Sequence, residues 1–483
     1  MKCTGFLFVL SAALSASVSA TNFASKKAQQ LKVKHLPKLT FDLPASWAGT
    51  LPISNNTDES KELFFWFFPP ANDVGHDDVV IWLNGGPGCS SLDGIFEENG
   101  PFSFKSDEVD TKLVPNRYSW TNLSHVVWVE SPIGVGFTKG KPDIQGMYGQ
   151  AREFYGFLEQ FYETFAELKG KRLWITGESY AGKYIPYIAH EIYNHESHKN
   201  QTGINLKGIA INDPSFTSNF FGEEAPAFEF LEKYKDIMGV NDTSVEHVRK
   251  FARKKGVETY VADNLHYPPK GHFYAPKSYT RDEYSSVWGL VNYYAEASSN
   301  CFNVYYIKPN CSSTKDPLGM PSGAVAAHKH NFLNANPSFK EALHIPRNKT
   351  WVECTHNLND VFKNVTRGDV SQPPDTTVLP GVIEKNVRTV IQHGTWDFVL
   401  IANGTQLGIQ NMTWAGKQGF HSKPNLTLTA GEKPHGLFHE ERGLTLALVS
   451  ESGHMVPQFK PKTAFALQQY LLGQVSKANI TSS

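Results

Sequence analysis

A serine at a sharp turn is the first residue of this chain whose position suggests chemistry. Ser179 lies in the motif GESYAG at residues 177–182, between the apolar run 173–176 and a segment with helical periodicity. A serine at such a strand-to-helix turn, flanked by small residues, is a nucleophile elbow that lifts the hydroxyl above a sheet. Because Ala181 replaces the second glycine of the strict G-x-S-x-G pattern, this motif alone does not distinguish an elbow from an ordinary turn.

A serine hydroxyl becomes an effective nucleophile only with a base and with an acid that orients the base. In folds with a nucleophile elbow, these partners follow along the chain in the order Ser, Asp, His. Asp397, in HGTWDF after one apolar run, and His454, in SGHMVP after another, occupy those two places. Their order and their position directly after strands favour a catalytic triad over isolated surface or structural roles.

The elements that must hold these residues alternate between strands and helices. Stretches 154–165 and 184–193 carry apolar side chains at helical spacing, and 462–472 is predicted to be a final helix. Six apolar runs have the length and composition of strands: 79–83, 125–129, 173–176, 206–211, 387–391 and 444–449. This alternation predicts an α/β domain, in which helices cover a parallel sheet.

The strand pattern is interrupted once, which suggests a division into segments. From 215 to 335, helical stretches rich in Phe, Tyr, Lys and Glu replace the buried runs, and we expect this insertion to lie over the active site. The predicted core comprises 21–214 and 336–475, with a signal peptide at 1–20 and a polar tail at 476–483.

Composition excludes several classes of protein. Lys plus Arg is 46 and Asp plus Glu is 47, so the net charge of −1 argues against a nucleic-acid binder. At 40% hydrophobic and 13% aromatic residues, the chain is too apolar to be disordered. The loop at 134–136 lacks the third glycine and acidic partner of a dinucleotide site, and His190, His195 and His198 lack zinc-pair spacing. We therefore expect no cofactor and no metal.

Three features predict export. Lys2, the apolar run 6–14 and the small residues 18–20 form a signal peptide, since the run is shorter than the roughly 20 residues that span a bilayer. After Cys3 leaves with this segment, four cysteines remain and allow three pairings. Sequons for N-glycosylation begin at Asn55, Asn122, Asn200, Asn241, Asn310, Asn348, Asn364, Asn403, Asn411, Asn425 and Asn479. The polar end of the chain argues against a GPI anchor.

Four motifs resemble the signatures of the serine carboxypeptidases, of the secreted fungal type. They are WLNGGPGCSS at 82–91, ESPIGVGF at 130–137, GESYAG at 177–182 and GHMVP at 453–457. The resemblance spans roughly residues 40–472. It implies the α/β-hydrolase fold, with a central, mostly parallel sheet and a helical lid.

The resemblance also implies a role for each residue of the chemistry. Ser179 becomes the nucleophile, His454 the general base and acid, and Asp397 the partner that orients His454. The backbone N–H groups of Gly86 and Tyr180 become the oxyanion hole.

A second set of residues is assigned to the substrate. The resemblance places Asn84, Gly85, Glu98 and Glu178 around the C-terminal carboxylate of a peptide, with Met455 also at the binding site. Two ionised glutamates would repel that carboxylate, whereas two that share protons would donate hydrogen bonds to it. We therefore expect peptidase activity to be best at acidic pH.

The resemblance pairs Cys89 with Cys354, which leaves Cys301 with Cys311 inside the insertion. It also places Asp93 and Glu97, one turn apart on a helix that starts near Ser90, beside the pocket for the C-terminal side chain. These acids suggest a preference for Lys or Arg there. The alternative is that acids simply favour a helix N-terminus.

Three functions compete. The first is a secreted carboxypeptidase that releases C-terminal residues from peptides and proteins by acyl-enzyme hydrolysis. The second is an acyltransferase on the same scaffold, which would have no use for Glu98 and Glu178, and the third is a non-catalytic binding protein. Partners are expected to be peptide chain ends, with no nucleic acid and no membrane. A vacuolar location, the oligomeric state, subsite preference, glycan occupancy and removal of a pro-segment are left open.

Overall fold

The structure is a computed structural model that describes most of the chain. It covers residues 23–195, 197, 199–277, 279, 286–308, 317–318, 331–355, 357–363, 368–430 and 433–482. The predicted signal peptide at 1–20 lies outside the described residues, as do Asn310, Cys311 and Asn364. The predicted bridge between Cys301 and Cys311 and the sequons at 310 and 364 therefore stay predictions.

Fifteen strands are found in the described ranges, and we number them in chain order. They are β1 Trp47–Pro52, β2 Glu62–Phe68, β3 Asp78–Leu83, β4 Phe102–Phe104, β5 Leu113–Pro115, β6 His125–Val129, β7 Arg172–Glu178, β8 Leu206–Asn212, β9 Arg388–Gly394, β10 Thr413–Trp414, β11 Lys417–Gln418, β12 Leu426–Leu428, β13 Gly436–Glu441, β14 Leu444–Val449 and β15 Thr481–Ser482.

Eleven of these strands form one sheet in the order β1-β2-β6-β3-β7-β8-β9-β14-β13-β12-β15. The six central strands, from β6 to β14, run parallel to one another. Both flanks are antiparallel. The mostly parallel sheet that was predicted is thus the centre of a mixed sheet, because short antiparallel strands extend each edge.

The α-helices are numbered in the same way. They are α1 Lys26–Leu31, α2 Met147–Thr164, α3 Ala181–Asn194, α4 Lys199–Thr202, α5 Ala227–Met238, α6 Asp242–Lys255, α7 Tyr260–Asn264, α8 Val287–Ser298, α9 Phe332–Ala335, α10 Pro337–Ala342, α11 Leu379–Lys385, α12 Ala402–Asn411, α13 Val456–Phe459, α14 Pro461–Leu471 and α15 Lys477–Ile480. Two π-helical turns, Gly94–Glu98 and Phe220–Glu224, lie at a strand end and at the start of the insertion.

The central strands are apolar throughout because helices cover both faces of the sheet. All six residues of β3 are buried, as expected for a strand that is covered on two sides. One face packs against α2 and α3, where Phe157, Phe161 and Ile188 are fully buried. The other face packs against α9 and α10 and against α14. This layering confirms the predicted α/β class.

The segment 215–335 builds a smaller core of its own. Its described part contains helices and no strand, and its buried residues include Phe228 of α5 and Val291 of α8. Trp396 and Phe398, which flank Asp397, belong to this same cluster. The ring of Trp288 stacks on Phe398 at a centroid distance of 5.3 Å. The insertion therefore supports the loop that carries Asp397, while the boundaries at 215 and 335 stay predictions.

The tail at 476–483 is attached to the sheet in its described part. Ile480 is buried, and Thr481 and Ser482 pair with Leu428 and Thr427 at the edge of the sheet. No helix in the described residues is both long and apolar enough to cross a bilayer.

Parallel order brings the carboxyl ends of the central strands to one edge of the sheet. The residues that follow β3, β7, β8, β9 and β14 include Asn84, Ser179, Asp213, Asp397 and His454, respectively. Ligand sites in open α/β sheets form at this edge. The topology therefore gathers residues that are far apart in sequence.

Candidate active site

Ser179 occupies a strained turn between β7 and α3. Its φ angle is +60°, a left-handed conformation that is uncommon for a residue with a side chain. Three backbone hydrogen bonds hold it there: its N–H donates to Asn212 O at 2.9 Å, and its carbonyl accepts from Gly182 N at 2.8 Å and from Ser215 N at 2.9 Å. The residue is partly exposed, so the turn presents the hydroxyl above the sheet as an elbow does.

The structure explains why Ala181 is tolerated in this elbow. A Cβ at Gly177 would lie 2.2 Å from Leu83 O and 2.9 Å from the Ala181 Cβ, so the methyl of Ala181 fits because residue 177 has none. At Gly182 a Cβ would lie 2.6 Å from Ser215 N. The close backbone approach that requires glycine is thus at position 182, one residue later than in the strict motif.

His454 and Asp397 form a buried pair. The Nδ1 of His454 lies 2.7 Å from Oδ2 of Asp397, and the other oxygen of Asp397 accepts from Val399 N at 2.8 Å and Leu400 N at 3.2 Å. Burial alone would raise the pKa of Asp397, but the imidazoles of His454 and His393 outweigh it and hold that pKa below its usual value. Asp397 is therefore an ionised acceptor that fixes the Nδ1–H tautomer of His454.

The other imidazole nitrogen of His454, Nε2, could act as a base. Its Nε2 is buried and has no hydrogen-bond partner among the residues that the structure describes. The ring of Tyr305 packs edge-on against the imidazole at 5.3 Å, and the backbone N–H of His454 donates to Tyr305 O at 2.8 Å. A nitrogen in this state can accept the proton of a hydroxyl, and contacts of this kind often tighten only when substrate binds.

The insertion is hydrogen-bonded to the loop that carries Asp397 and to the loop that carries His454. Val304 O accepts from Phe398 N at 2.9 Å, Ile307 N donates to Trp396 O at 3.2 Å, and Tyr305 O holds His454 as described. Segment 304–307 therefore connects the loop after β9 with the loop after β14. The sequence did not indicate this contact, since it joins residues about 90 to 150 positions apart.

The glycine loop after β3 lies directly against the elbow. A Cβ at Gly85 would be 2.4 Å from Tyr180 N and 2.8 Å from the Ser179 Cβ. At Gly86, with φ of +109°, a Cβ would be 2.6 Å from Gly88 N. Only glycines allow these approaches, and the backbone at Gly85 lies beside Ser179 and beside the N–H of Tyr180.

A disulfide anchors the same loop. Cys89 and Cys354 are bonded, which is the pairing that the resemblance implies. Two backbone hydrogen bonds reinforce the junction, from Ser90 N to Glu353 O at 2.7 Å and from Thr355 N to Gly88 O at 3.0 Å. The residues around 354 therefore hold the glycine loop in place.

Asn84 organises two buried glutamates. Its Oδ1 accepts from Trp82 Nε1 at 2.6 Å and from Gly94 N at 3.2 Å, which orients its NH₂ group toward the acids. That NH₂ group donates to Glu178 Oε1 at 2.9 Å and to Glu98 Oε1 at 3.2 Å. The second oxygens of both glutamates have no donor among the described residues.

Burial sets the protonation of these acids. It raises the pKa of Glu98 well above its usual value, and the neighbouring Glu178 raises it further. Burial, followed by the charge of Asp93, raises the pKa of Glu178 to about 8. At acidic and neutral pH the two glutamates therefore keep protons and can donate hydrogen bonds to an anion.

The two acids that were predicted to act together, Asp93 and Glu97, have different neighbours. Asp93 is buried, and its carboxylate lies within 4.8 Å of those of Glu98 and Glu178. Glu97 instead accepts from Gln458 Nε2 at 3.0 Å, on α13. Met455 is buried at the residue before α13. The turn at 94–98 is π-helical, and this places neighbouring acids in different surroundings.

Sequence reasoning missed two residues at this site. Asp213 and His393 are fully buried, and Asp213 lies with Asp397 and His454 in a group whose nearest ligand atoms are within 4.8 Å of one another. The available signal was an Asp directly after β8, in the motif IND at 211–213, to which no role was assigned.

Two groups could offer three ligand atoms to a metal ion within the described ranges. One is Asp213, Asp397 and His454, and the other combines Asp93 with the two glutamates. Asp397 and His454 in the first group, and both glutamates in the second, already make hydrogen bonds described above. The expectation of no metal and no cofactor stays a prediction.

Comparison with known proteins gives a consistent result. A family model described as serine carboxypeptidase matches residues 39–474. A "Probable serine carboxypeptidase" of Arthroderma benhamiae is 38% identical, over 91% of this chain and 85% of that protein. "Serine-type carboxypeptidase F" of Aspergillus niger is 33% identical, over 94% and 88%.

A solved structure shares the fold. The crystal structure of Kex1(Δ)p, described as a prohormone-processing carboxypeptidase from Saccharomyces cerevisiae, superimposes with a TM-score of 0.72 at 24% identity. The match covers 94% of this chain and 98% of that one. This likeness confirms the predicted α/β-hydrolase fold.

Proposed function

Because the chain belongs to the serine carboxypeptidase family, we propose that it removes residues from peptide C-termini with Ser179, His454 and Asp397 as its catalytic triad. One observation carries this proposal. The buried His454–Asp397 pair lies at the same sheet edge as a strained, partly exposed serine and a pair of protonated glutamates. A nucleophile with its base, next to a group that can bind a carboxylate, is what an enzyme acting on chain ends requires.

The proposed reaction has two halves, acylation of Ser179 and hydrolysis of the acyl-enzyme, and the same groups act in both. Ser179 Oγ attacks the carbonyl of the last peptide bond while His454 Nε2 takes the hydroxyl proton, and Asp397 stabilises the imidazolium that forms. The N–H groups of Gly86 and Tyr180 would bind the oxyanion, because the glycine loop holds the backbone against the elbow. His454 then gives its proton to the leaving amine, and water hydrolyses the acyl-enzyme by the same steps.

The glutamates would select the free chain end. Glu98, Glu178 and the amide of Asn84 present donors in a buried site, where a substrate carboxylate accepts them. The protonated form binds, so this contribution is present below the pKa of Glu178, about 8, and is lost as pH rises through it. Activity that is best at acidic pH is therefore part of the proposal.

The side-chain preference is a separate proposal. Asp93 lies beside the glutamates, where an ionised carboxylate would attract the Lys or Arg side chain of a terminal residue. Glu97 is a weaker candidate for binding that side chain, because its carboxylate already accepts a hydrogen bond from Gln458.

Secretion as a glycoprotein also belongs to the proposal. The nine sequon asparagines in the described ranges are all exposed or half-buried, so each lies at the surface. The Cys89–Cys354 bond suits an oxidising compartment. Delivery to a vacuole is the alternative location.

An acyltransferase with the same triad is the second candidate function. It would transfer the acyl group to an alcohol, and such an acceptor brings no carboxylate to the site. The two glutamates and the amide that binds them favour the peptidase.

The test is timed mass spectrometry of a peptide mixture incubated with the protein at about pH 5. We expect ladders of C-terminal truncations that are absent with Ser179→Ala, which keeps the binding groups and serves as the matched control. Amidated copies of the same peptides should be cut far more slowly. Equal cleavage of free and amidated ends would contradict the proposed role of the glutamates.

A further inference from the structure

Asp213 is a buried acid that the reaction described above does not use. It follows β8, is fully buried and has a φ of +42°. Its backbone N–H donates to Gln392 O at 2.8 Å, and its Oδ1 accepts from Gly394 N at 2.8 Å. The last residues of β9 therefore hold Asp213 in one position. Gly394, which ends this strand, lies three residues before Asp397 in the chain.

The surroundings of this carboxyl group explain its protonation. Its Oδ2 is buried and receives no hydrogen bond from the described residues. The groups that face it are the carboxyl of Asp397, the imidazoles of His393 and His454 and, farther away, Glu178. His393 Nε2 lies 3.4 Å from Asp213 Oδ1 but 2.8 Å from Leu400 O, so its proton goes mainly to that carbonyl. Within the described residues, no lysine or arginine forms an ion pair with Asp213.

The carboxyl groups of Asp213 and Asp397 are so close that ionising both would be energetically unfavourable. Burial, and then the charge of Asp397, raises the pKa of Asp213 well above its usual value, whereas the pKa of Asp397 is lowered. The proton of the pair therefore resides on Asp213, whose carboxyl group lies within 4.8 Å of that of Asp397 and can turn its O–H toward it.

We propose that Asp213 is a positioning residue: as a neutral carboxylic acid it donates a hydrogen bond to Asp397 and holds that carboxylate in place for His454. This inference rests on the proposed roles of Asp397 and His454. The hydrogen bond completes a chain from Asp213 through Asp397 to the imidazole. The β9 backbone at Gln392 and Gly394 holds Asp213, and the carbonyl of Tyr305 holds the backbone of His454. Asp213 does not touch the substrate, so it acts on the reaction only through Asp397.

Two variants separate this role from simple packing. Asp213→Asn keeps a neutral donor of the same shape and suits a positive φ, so we expect kcat to stay within about threefold of wild type. Asp213→Gly also suits the φ angle but removes the donor, and we expect kcat to fall about 10- to 100-fold with KM changed by less than about twofold.

The measurement is kcat and KM on a free peptide at about pH 5, expressed per active site titrated with a serine-directed phosphonate. Titration removes the effect of any misfolded fraction, and the rate of phosphonate labelling reports the nucleophile without a peptide. Loss in Asp213→Gly with rescue in Asp213→Asn supports the proposal. Equal kcat per titrated site in all three proteins, or a larger loss in Asp213→Asn than in Asp213→Gly, would overturn it.

The same experiment distinguishes the two levels of proposal. If wild-type protein does not react with the phosphonate at Ser179, the triad and the role of Asp213 are both wrong. If wild type reacts and Ser179→Ala does not, the triad stands, and the two Asp213 variants alone decide this inference.

Discussion

The two buried glutamates place a proton-dependent group next to a serine nucleophile. Asn84 fixes their position through its amide, whose oxygen is already committed to Trp82 and Gly94. Because burial keeps Glu98 and Glu178 neutral, they can donate to a carboxylate that ionised acids would repel. Under the proposed function, this residue-scale arrangement makes the binding of the substrate carboxylate depend on pH.

Replacing both Glu98 and Glu178 by Gln should remove that dependence. The amides cannot ionise, so we expect the kcat/KM on free peptides at about pH 8, relative to about pH 5, to rise at least about tenfold above the wild-type ratio. Glu153→Gln is the matched control, because burial raises the pKa of Glu153 to about 7 on helix α2, away from the site. An alkaline decline that is the same in all three proteins would refute the account.

The preference for a basic terminal residue can be tested at Asp93 and Glu97. We expect Asp93→Asn to lower the ratio of kcat/KM for Lys-ended over Leu-ended peptides by about tenfold, because a buried attraction is lost. Glu97→Gln should have a smaller effect, since its carboxylate bonds to Gln458. If wild type cleaves Leu-ended peptides faster than Lys-ended ones, and the ratio is unchanged when Asp93→Asn and Glu97→Gln are combined, these acids only favour the helix start.

At the scale of elements, the site depends on loops that other elements hold. The glycine loop after β3 is bonded to the segment at 353–355, and the loops after β9 and β14 are bonded to segment 304–307. These loops of the proposed active site are thus supported from distant parts of the chain, which limits their freedom to move.

Loss of the Cys89–Cys354 bond should reduce both stability and turnover. With both cysteines changed to Ser, we expect the free energy of unfolding to fall by about 2–5 kcal/mol, since the bond closes a loop of 265 residues. We also expect kcat per titrated site to fall more than KM rises, because Gly86 would be held less firmly for the oxyanion. Thermal unfolding and steady-state kinetics check this, and unchanged kcat would show that the hydrogen bonds around the loop suffice.

The elements differ in how well the sequence reveals them. β3, β6, β7 and β8 were predicted because strands covered on both faces are continuous apolar runs. β13, with His439 and two glutamates in six residues, was not predicted, since a strand in the antiparallel flank of a sheet needs only one buried face. The triad followed from motifs and their order. Asp213 did not, because the sequence does not show that β8 and β9 are neighbours, which the structure shows by pairing Gly208 with Arg388 through to Asn212 with Gln392.

At the scale of the whole molecule, the predicted glycosylation sites in the described ranges lie at the surface. Six of the nine sequon asparagines in the described ranges are exposed: Asn55, Asn200, Asn241, Asn348, Asn425 and Asn479. Three are half-buried: Asn122, Asn403 and Asn411. The amide of Asn411 already donates to Phe273 O at 3.0 Å and accepts from Phe273 N at 3.0 Å.

Glycan occupancy should follow this difference. We expect protein made by a secreting fungal host to carry glycans at the exposed sites and to be unmodified at Asn411, whose amide is occupied by backbone contacts. Peptide mapping after enzymatic deglycosylation in ¹⁸O water measures each site, and Asn411→Gln is the matched control. Protein found in the vacuole and not in the medium would favour the alternative location, and glycans at Asn411 alone would contradict the surface argument.

An exopeptidase must survive its own chemistry. Thr481 and Ser482 lie in a strand at the edge of the main sheet, and the side chain of Ile480 just before them is buried. To enter the active site of another copy, this part of the chain would first have to peel away from β12 and withdraw Ile480 from the protein interior. Self-trimming that reached residue 482 should therefore stall there for as long as the fold holds.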